Sequence, residues 1–258
     1  MSQFDLTGKV AVITGSSRGI GKAIAEELAA NGAHVVISSR KLETCQAVSA
    51  EINGRHGQGA SIAVAASISD KAALRGLVDT TVATFGKIDI LVCNAATNPY
   101  YGPMSGITDD QFFKILTNNV VANNWLIQMA APAMIERKDG AIIIVSSIGG
   151  LMGSKTIGAY NISKAADLQL VRNLAVEFGR DNVRVNAIAP GVIRTDFAKA
   201  IWEDPQAEAA LSRAVPLARI GEPQEIAGAA AFLASRAGAY VTGQTIVVDG
   251  GMMIGGAL

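Results

Sequence analysis

Short runs of β-branched and aliphatic residues alternate along the chain with longer stretches in which apolar residues recur every three or four positions. The first pattern reads as buried strand, the second as one face of a helix. Val10 to Thr14 is the first such run, after which Ile20, Ile24 and Leu28 recur four apart, with Gly32 as a stop signal. His34 to Ser38 predicts a second strand, followed by a helix carrying Leu42, Cys45, Val48 and Ile52. Ser61 to Ala65 predicts a third strand. Ser69 and Asp70 can cap the next helix, with Leu74, Leu77, Val78 and Val82 expected on its inner side.

Ile88 to Cys93 predicts strand four. Thr108 with Gln111 makes a capping box for a long helix predicted to reach about Glu136, with Pro132 placed to bend it near its end. Ala141 to Ser146 reads as strand five, about Tyr160 to Gly179 as a helix, and Val183 to Ile188 as strand six. Pro223 suits the first turn of a helix running to Ala234, and Thr245 to Val248 closes the series as strand seven. Strands that are apolar throughout fit a parallel sheet covered on both faces. Their alternation with helices implies right-handed crossovers and a doubly wound α/β sheet. No linker, repeat or low-complexity stretch divides the chain, and the Gly-rich tail Asp249 to Leu258 is too short to be a domain. The expectation is one Rossmann-type domain over residues 1–258, a seven-stranded parallel sheet with helices on both faces.

Composition narrows the function. Half of the 258 residues are apolar and 17% are charged, enough to bury a large core and contrary to broad disorder. A formal net charge of zero argues against an electrostatic nucleic-acid binder. Cys45 and Cys93 are expected as reduced thiols, and with His34 and His56 they make no metal-ligand pattern, so no metal is expected. Met1 to Asp5 lacks the basic and apolar regions of a signal peptide, no apolar run is long enough for a bilayer, and the C-terminal Gly256-Ala257-Leu258 is not a peroxisomal address. The expected location is the cytoplasm, with neither membrane nor nucleic acid as partner.

The first candidate chemistry lies between the first strand and first helix, in Thr14-Gly15-Ser16-Ser17-Arg18-Gly19-Ile20-Gly21. Glycines here permit a sharp turn, a close approach of backbone to a pyrophosphate, and tight packing of helix on strand. The helix that follows offers free N–H groups and the positive end of its dipole to phosphate. Dinucleotide binding is the implied function. The end of strand two then bears on which dinucleotide. An acid there bonds the 2′-hydroxyl of NAD, whereas an arginine accommodates the 2′-phosphate of NADP. This chain has Ser38-Ser39-Arg40-Lys41 and no acid. Ser39 and Arg40, with Arg18 as a second candidate, point to NADP in preference to NAD.

The second candidate chemistry is Tyr160-Asn161-Ile162-Ser163-Lys164 at the start of a predicted helix. Residues four apart share a helix face, so the Tyr160 hydroxyl and the Lys164 ammonium can approach one site. A cation favours the phenolate, which makes a tyrosine usable as a general acid in one direction and a general base in the other. Ser147, thirteen residues before Tyr160, ends strand five, and strand ends are where ligands bind in open α/β sheets.

The Gly-x-x-x-Gly-x-Gly loop, Ser147, Tyr-x-x-x-Lys and Asn119 occur here in an order that resembles the short-chain dehydrogenase/reductase family, from Lys9 to Gly251. By that resemblance, Ser147 holds the substrate oxygen and Tyr160 transfers the proton. Lys164 also binds the nicotinamide ribose, and Asn119 positions a water for proton relay. The Gly15 to Gly21 loop, Tyr160 and Lys164 would hold the cofactor, together with Asn94-Ala95 after strand four. Pro190-Gly191-Val192-Ile193-Arg194-Thr195 resembles the segment that fixes the nicotinamide amide, with Pro190, Gly191, Ile193 and Thr195 as its contacts. Val248-Asp249-Gly250-Gly251 resembles the family's last strand and turn. The chain departs from the pattern at Cys93 and Ala96, where the family has asparagine and glycine, and at Ser67, where many members have aspartate. Ser-Ser-Arg-Lys and Asn-Ala-Ala-Thr-Asn-Pro look like the NADPH-dependent carbonyl and retinal reductases within the family.

The substrate is less legible. Asp196 to Ala214 is expected to form a lid, and Trp202, Phe197, Met152, Ile148, Tyr100 and Tyr101 to line an apolar pocket. The leading expectation is an NADP-dependent carbonyl reductase or alcohol dehydrogenase acting on a small molecule. The alternatives are a 3-oxoacyl-thioester reductase, a sugar-acid dehydrogenase, and a binder of NADP(H) without turnover. Family analogy implies a homo-oligomer, a tetramer or a dimer.

Overall fold

The computed structural model describes residues 2–255; the readings that fell on Met1 and on Gly256-Ala257-Leu258 lie outside the described residues. Strands β1 (Val10–Thr14), β2 (His34–Ser39), β3 (Ser61–Ala65), β4 (Ile90–Cys93), β5 (Gly140–Val145), β6 (Val183–Pro190) and β7 (Thr245–Val248) form one sheet, in the order β3-β2-β1-β4-β5-β6-β7. Every pairing is parallel, with Val12 opposite Val36 on one side and Leu91 on the other. The helices are α1 (Gly19–Ala30), α2 (Leu42–His56), α3 (Lys71–Phe85), α4 (Asp109–Leu116), α5 (Ala122–Arg137), α6 (Gly158–Phe178), α7 (Lys199–Trp202), α8 (Pro205–Ala214) and α9 (Pro223–Ala234).

Alternation within each strand sends neighbouring side chains to opposite faces. Ala11, Ile13, Val35, Ile37, Ile90 and Val92 pack beneath α1, α2 and α9. Val12, Val36, Leu91 and Cys93 pack beneath α3, α5 and α6. Strands with two buried faces are apolar along most of their length, which is the pattern read from the sequence.

Three features depart from expectation for physical reasons. Strand four starts at Ile90, not Ile88, because the buried Asp89 carboxylate accepts the Val10 N–H at 2.9 Å and is paired with Lys87 at 3.0 Å. Val82 was expected on the inner face of α3 but is exposed; Thr81 is buried instead, its hydroxyl donating to the Leu77 carbonyl at 2.7 Å. The long helix starts at its Thr108–Gln111 capping box, but a π-helical turn over Thr117–Val121 separates α4 from α5. Pro132 lies within α5, which runs on to Arg137.

The strand order reverses between β1 and β4, and it is at the carboxyl ends flanking such a switch point that open α/β sheets bind ligands. Among the described residues, no helix is long and apolar enough to cross a membrane, and no cluster of three potential metal ligands occurs.

Candidate active site

The loop between β1 and α1 needs its glycines for different reasons. Gly15 has φ +66° and Gly19 φ +54°, the left-handed region that disfavours a side chain. Gly21 has ordinary helical backbone, but a Cβ there would lie 2.5 Å from both the Asn94 amide nitrogen and the Gly15 carbonyl oxygen. Asn94 is what fills that space. Its side-chain amide donates to the carbonyls of Thr14 at 2.8 Å and Gly15 at 3.3 Å, while the Thr14 hydroxyl accepts the backbone N–H of Asn94 at 3.0 Å and of Ala95 at 3.1 Å. Asn94 and Ala95 therefore meet the glycine loop. Ser17 is half-buried in the turn, and Ile20 packs into the core, leaving its backbone as the part available to a ligand. Helix α1 opens without a side-chain cap or an acid in its first turn, whereas α3, α4 and α8 are capped by Asp70, Thr108 and Asp204. A glycine cradle ending in uncapped N–H groups fits a pyrophosphate.

At the end of β2, the Ser39 hydroxyl turns toward α2 and lies 3.1 Å from the Cys45 sulfur, while Arg40 is exposed. Arg18 is paired across the loop with Asp196 at 3.0 Å, both side chains well exposed. Such a pair is worth less than about 1 kcal/mol, so an anion can displace Asp196.

The segment after β6 closes the site from the other side. Gly191 donates its N–H to the Val248 carbonyl at 2.9 Å, and a Cβ on Gly191 would lie 2.8 Å from Asp249. Asp249 in turn accepts the backbone N–H groups of Gly251 at 2.8 Å and Met253 at 2.7 Å. Pro190 ends β6, Ile193 is buried and bridges to Gly221, and the Thr195 methyl lies 3.2 Å from where a Gly19 Cβ would be. The Pro190–Thr195 segment and the glycine loop thus face each other.

The four residues singled out for chemistry follow β5 or stand on α6 and in the π turn. Ser147 follows β5, and its hydroxyl accepts the Gly149 N–H at 3.0 Å. The turn after it lies directly on α6, because a Cβ on Gly150 would sit 2.8 Å from the Lys164 carbonyl carbon. Tyr160, half-buried, stands in the first turn of α6, and the Lys164 ammonium is 5.7 Å from the centroid of its ring. Asn119 is completely buried in the π turn. Its amide oxygen accepts the Thr97 N–H at 2.8 Å, and its amide nitrogen donates to the Thr97 carbonyl and the Ser163 hydroxyl, both at 3.0 Å. Both Asn119 amide protons are committed, so only an acceptor lone pair is left for a water.

The Tyr160 ring has an aromatic neighbour. The Phe197 ring is 5.9 Å away, and Phe197, Tyr101, Met104, Leu151 and Met152 are exposed. Ile148 is buried, and the Tyr100 hydroxyl donates to the Pro103 carbonyl at 2.8 Å. Trp202 donates its indole N–H to the Thr195 carbonyl at 3.0 Å and stacks under Arg194, whose guanidinium also pairs with Glu222 at 3.2 Å. Trp202 thereby ties the segment of α7 and α8 back to the Pro190–Thr195 strap.

The sequence reading missed two residues behind Lys164. Asp167 is fully buried, 3.2 Å from the Lys164 ammonium, which also donates to the Val145 carbonyl at 2.9 Å. Asn123 donates to Asp167 at 3.0 Å and to the Asn119 carbonyl at 2.6 Å. The available signal was an acid three residues after Lys164, on the inward face shared with Leu168 and Val171. Burial is the largest influence on Lys164 and would lower its pKa, but the charges of Asp167 and Tyr160 outweigh it and the pKa is raised. Burial likewise pushes the Asp167 carboxyl up, against the pull of Lys164 and the Asn123 hydrogen bond.

Comparison with known proteins finds relatives that match most of the chain. The family model described as enoyl-(acyl carrier protein) reductase matches residues 15–253. Dehydrogenase/reductase SDR family member 4 of Bos taurus is 43% identical over 249 residues, covering 96% of this chain and 88% of the relative. The crystal structure of a gluconate 5-dehydrogenase from Burkholderia cenocepacia in complex with NADP and tartrate superposes with a TM-score of 0.92 at 32% identity, covering 97% of each chain. A 3-oxoacyl (acyl-carrier-protein) reductase from Agrobacterium tumefaciens with NADP bound gives a TM-score of 0.89 at 36% identity, covering 96% of this chain and 95% of the other.

Proposed function

The chain belongs to the short-chain dehydrogenase/reductase family of oxidoreductases, and from that premise we propose that it transfers a hydride between NADP(H) and the carbonyl or secondary-alcohol carbon of a small apolar molecule. The observation that carries this reading is the Lys164 ammonium beside Tyr160 at the carboxyl edge of β5, with Ser147 on the turn packed against the same helix. When bound, the nicotinamide supplies or accepts the hydride. Tyr160 gives its phenolic proton to the substrate oxygen in reduction and takes it back in oxidation. Ser147 holds that oxygen through its hydroxyl. Lys164 places its positive charge beside the Tyr160 ring and would offer the ribose a hydrogen-bond donor. Asn119 fixes Thr97 and Ser163 around the acid, and a relay water would bond to one of its acceptor lone pairs.

The cofactor would lie along Gly15, Ser17, Gly19, Ile20 and Gly21, with Asn94 and Ala95 beside it and Pro190, Gly191, Ile193 and Thr195 over the nicotinamide. NADP is favoured by the absence of an acid at the end of β2 and by Ser39, Arg40 and Arg18, whose exposed guanidinium groups can reach a 2′-phosphate. An apolar substrate is favoured by the exposed Phe197, whose ring lies 5.9 Å from that of Tyr160. Free, buried Cys45 and Cys93 fit the reducing cytoplasm.

The test is the initial rate of NADPH and NADH oxidation over a panel of ketones, diketones, aldehydes, acetoacetyl thioesters and keto sugar acids. The expected result is turnover at least tenfold faster with NADPH at low cofactor, a discrimination of about 1.4 kcal/mol, and its loss in Tyr160→Phe. Near-normal turnover by Tyr160→Phe would overturn the assignment of the acid. Equal rates with NADH would overturn the cofactor assignment. Turnover of thioesters or sugar acids alone would replace the substrate class, and tight NADPH binding with no turnover on any panel member would favour a binding protein.

A further inference from the structure

A buried ammonium is expensive unless a partner offsets its lost hydration. Lys164 is 2% exposed and Asp167 0%, so neither charge is shared with solvent. The two are 3.2 Å apart, the ammonium is held from the strand side by the Val145 carbonyl, and the carboxylate is held by Asn123, which spans to the Asn119 carbonyl in the π turn. The chain runs Asn119, Asn123, Asp167, Lys164, with Tyr160 next, and connects the π turn, α5 and α6. We propose that Asp167 is a positioning residue of the reaction, which, fixed by Asn123, anchors the Lys164 ammonium and keeps it charged inside the core, so that Tyr160 always has its cation.

The groups acting on this pair are few. Tyr160 and Asp167 act on Lys164 from its own helix, and the Cys93 thiol acts from β4. Cys93 is buried; burial and the charge of Asp167 push its thiol well above the usual range, so it stays neutral. From the π turn, α5 and β5 the neighbours are the uncharged Asn119, Asn123 and Val145 carbonyl. Arg184 on β6 turns to the carbonyls of Gly238, Val241 and Ser235, and Asp109, Asp110 and Lys114 on α4 are exposed. Asp167 is therefore the anion that balances Lys164. An ammonium so placed keeps its proton at high pH, and removal of the carboxylate leaves burial to dominate, so the proton is lost at lower pH.

The inference rests on the reading of Tyr160 and Lys164 above, and its test has a readout that needs no substrate. Full-length protein labelled with carbon-13 at the lysine ε position is titrated by NMR, with Lys164 assigned by the signal missing in Lys164→Arg protein. In the parent, the Lys164 midpoint is expected above the ordinary lysine value of about 10.4. In Asp167→Asn, which keeps the shape, it is expected to fall by about two pH units or more. The pH–rate profile of that variant is expected to lose its alkaline range, while its rate at lower pH falls less. A parent midpoint at or below the ordinary lysine value overturns the proposal with no variant required. So does an Asp167→Asn protein whose Lys164 midpoint is unmoved and whose rate falls by one factor at every pH, as a purely structural role would give. If instead Tyr160→Phe keeps its activity, the reading of the site fails whatever Lys164 does.

Discussion

Gly21 offers a sharp test of how the glycine loop is built, because two effects of opposite sign meet there. Replacing a helical glycine by alanine normally stabilises a protein by roughly 0.5–1 kcal/mol. At Gly21 the added methyl would lie 2.5 Å from the Gly15 carbonyl oxygen and 2.5 Å from the Asn94 amide nitrogen. The carbonyl has little room to yield, since Gly15 is held at φ +66° and accepts a bond from Asn94. Asn94 must move, and it carries the 2.8 Å bond to the Thr14 carbonyl that ties the β4 loop to the β1 loop. Overpacking at about 1–3 kcal/mol together with one lost hydrogen bond of about 1 kcal/mol exceeds the helical gain. The net expectation for Gly21→Ala is a loss of about 2–3 kcal/mol, or roughly 5–10 °C in melting temperature for a chain of this size. Gly76 in α3 is the control, since a Cβ there meets nothing within 4 Å; Gly76→Ala should melt slightly above the parent. Thermal melts of the three proteins by circular dichroism, with and without NADPH, measure both stability and cofactor binding. The cofactor-induced rise should be smaller in Gly21→Ala, consistent with about tenfold weaker binding or more. A Gly21→Ala protein as stable as Gly76→Ala, with the full cofactor-induced rise, would refute the packing argument.

Arg40→Asp should reverse the cofactor preference, raising the NADPH KM by about tenfold or more and lowering that for NADH, since it places an acid where a ribose hydroxyl would bond and removes a phosphate partner; paired KM measurements check it, and an unchanged NADPH KM would leave Arg18 as the phosphate residue. Glu225, in the capping box at the start of α9, has its carboxyl held down to about 2 by the hydrogen bond from Arg219 and the backbone N–H of Glu222. Its folded value is depressed, so its contribution is complete above the ordinary value of 4.5 and drains away as pH falls toward about 2. The pair is exposed, which limits this contribution to less than about 1 kcal/mol. Glu225→Gln should accordingly lower stability slightly at pH 7 and converge with the parent near pH 2 in urea titrations.

Much of the architecture was legible because it rests on short-range rules. Strands apolar along most of their length and helices apolar at one position in three or four specified a covered parallel sheet, and all seven strands form within two residues of where they were expected. The glycine loop and the Tyr160–Lys164 spacing were legible for the same reason, since each is a local arrangement whose geometry follows from sequence separation. What escaped depends on hydrogen-bond and ion-pair partners that the apolar pattern does not encode. The inward turn of Val82 lost to Thr81, whose hydroxyl finds a carbonyl within its own helix and so loses little by being buried. Arg18 reads as a free phosphate ligand in sequence, yet it is paired with Asp196, 178 residues away.

The π turn over Thr117–Val121 shows why the hardest elements to read are the ones nearest the chemistry. A regular helix from Thr108 onward satisfies its own backbone and gives Asn119 no special orientation. One wider turn places Asn118 and Asn119 among buried residues, and their side chains then bond Thr97, whose loop follows Asn94 and Ala95 out of β4. The loop beyond β4 is thus held by Thr14 on one side and by Asn119 on the other, and Asn119 also holds Ser163 one residue before Lys164. A widened helical turn and an ion pair without solvent are each unfavourable alone, and each is offset only by contacts with another element at the same end of the sheet. Sequence rules written for single elements fail at these positions because the energy that selects them lies between elements, and that dependence is what ties the glycine loop, the β4 loop and the Tyr160 helix together.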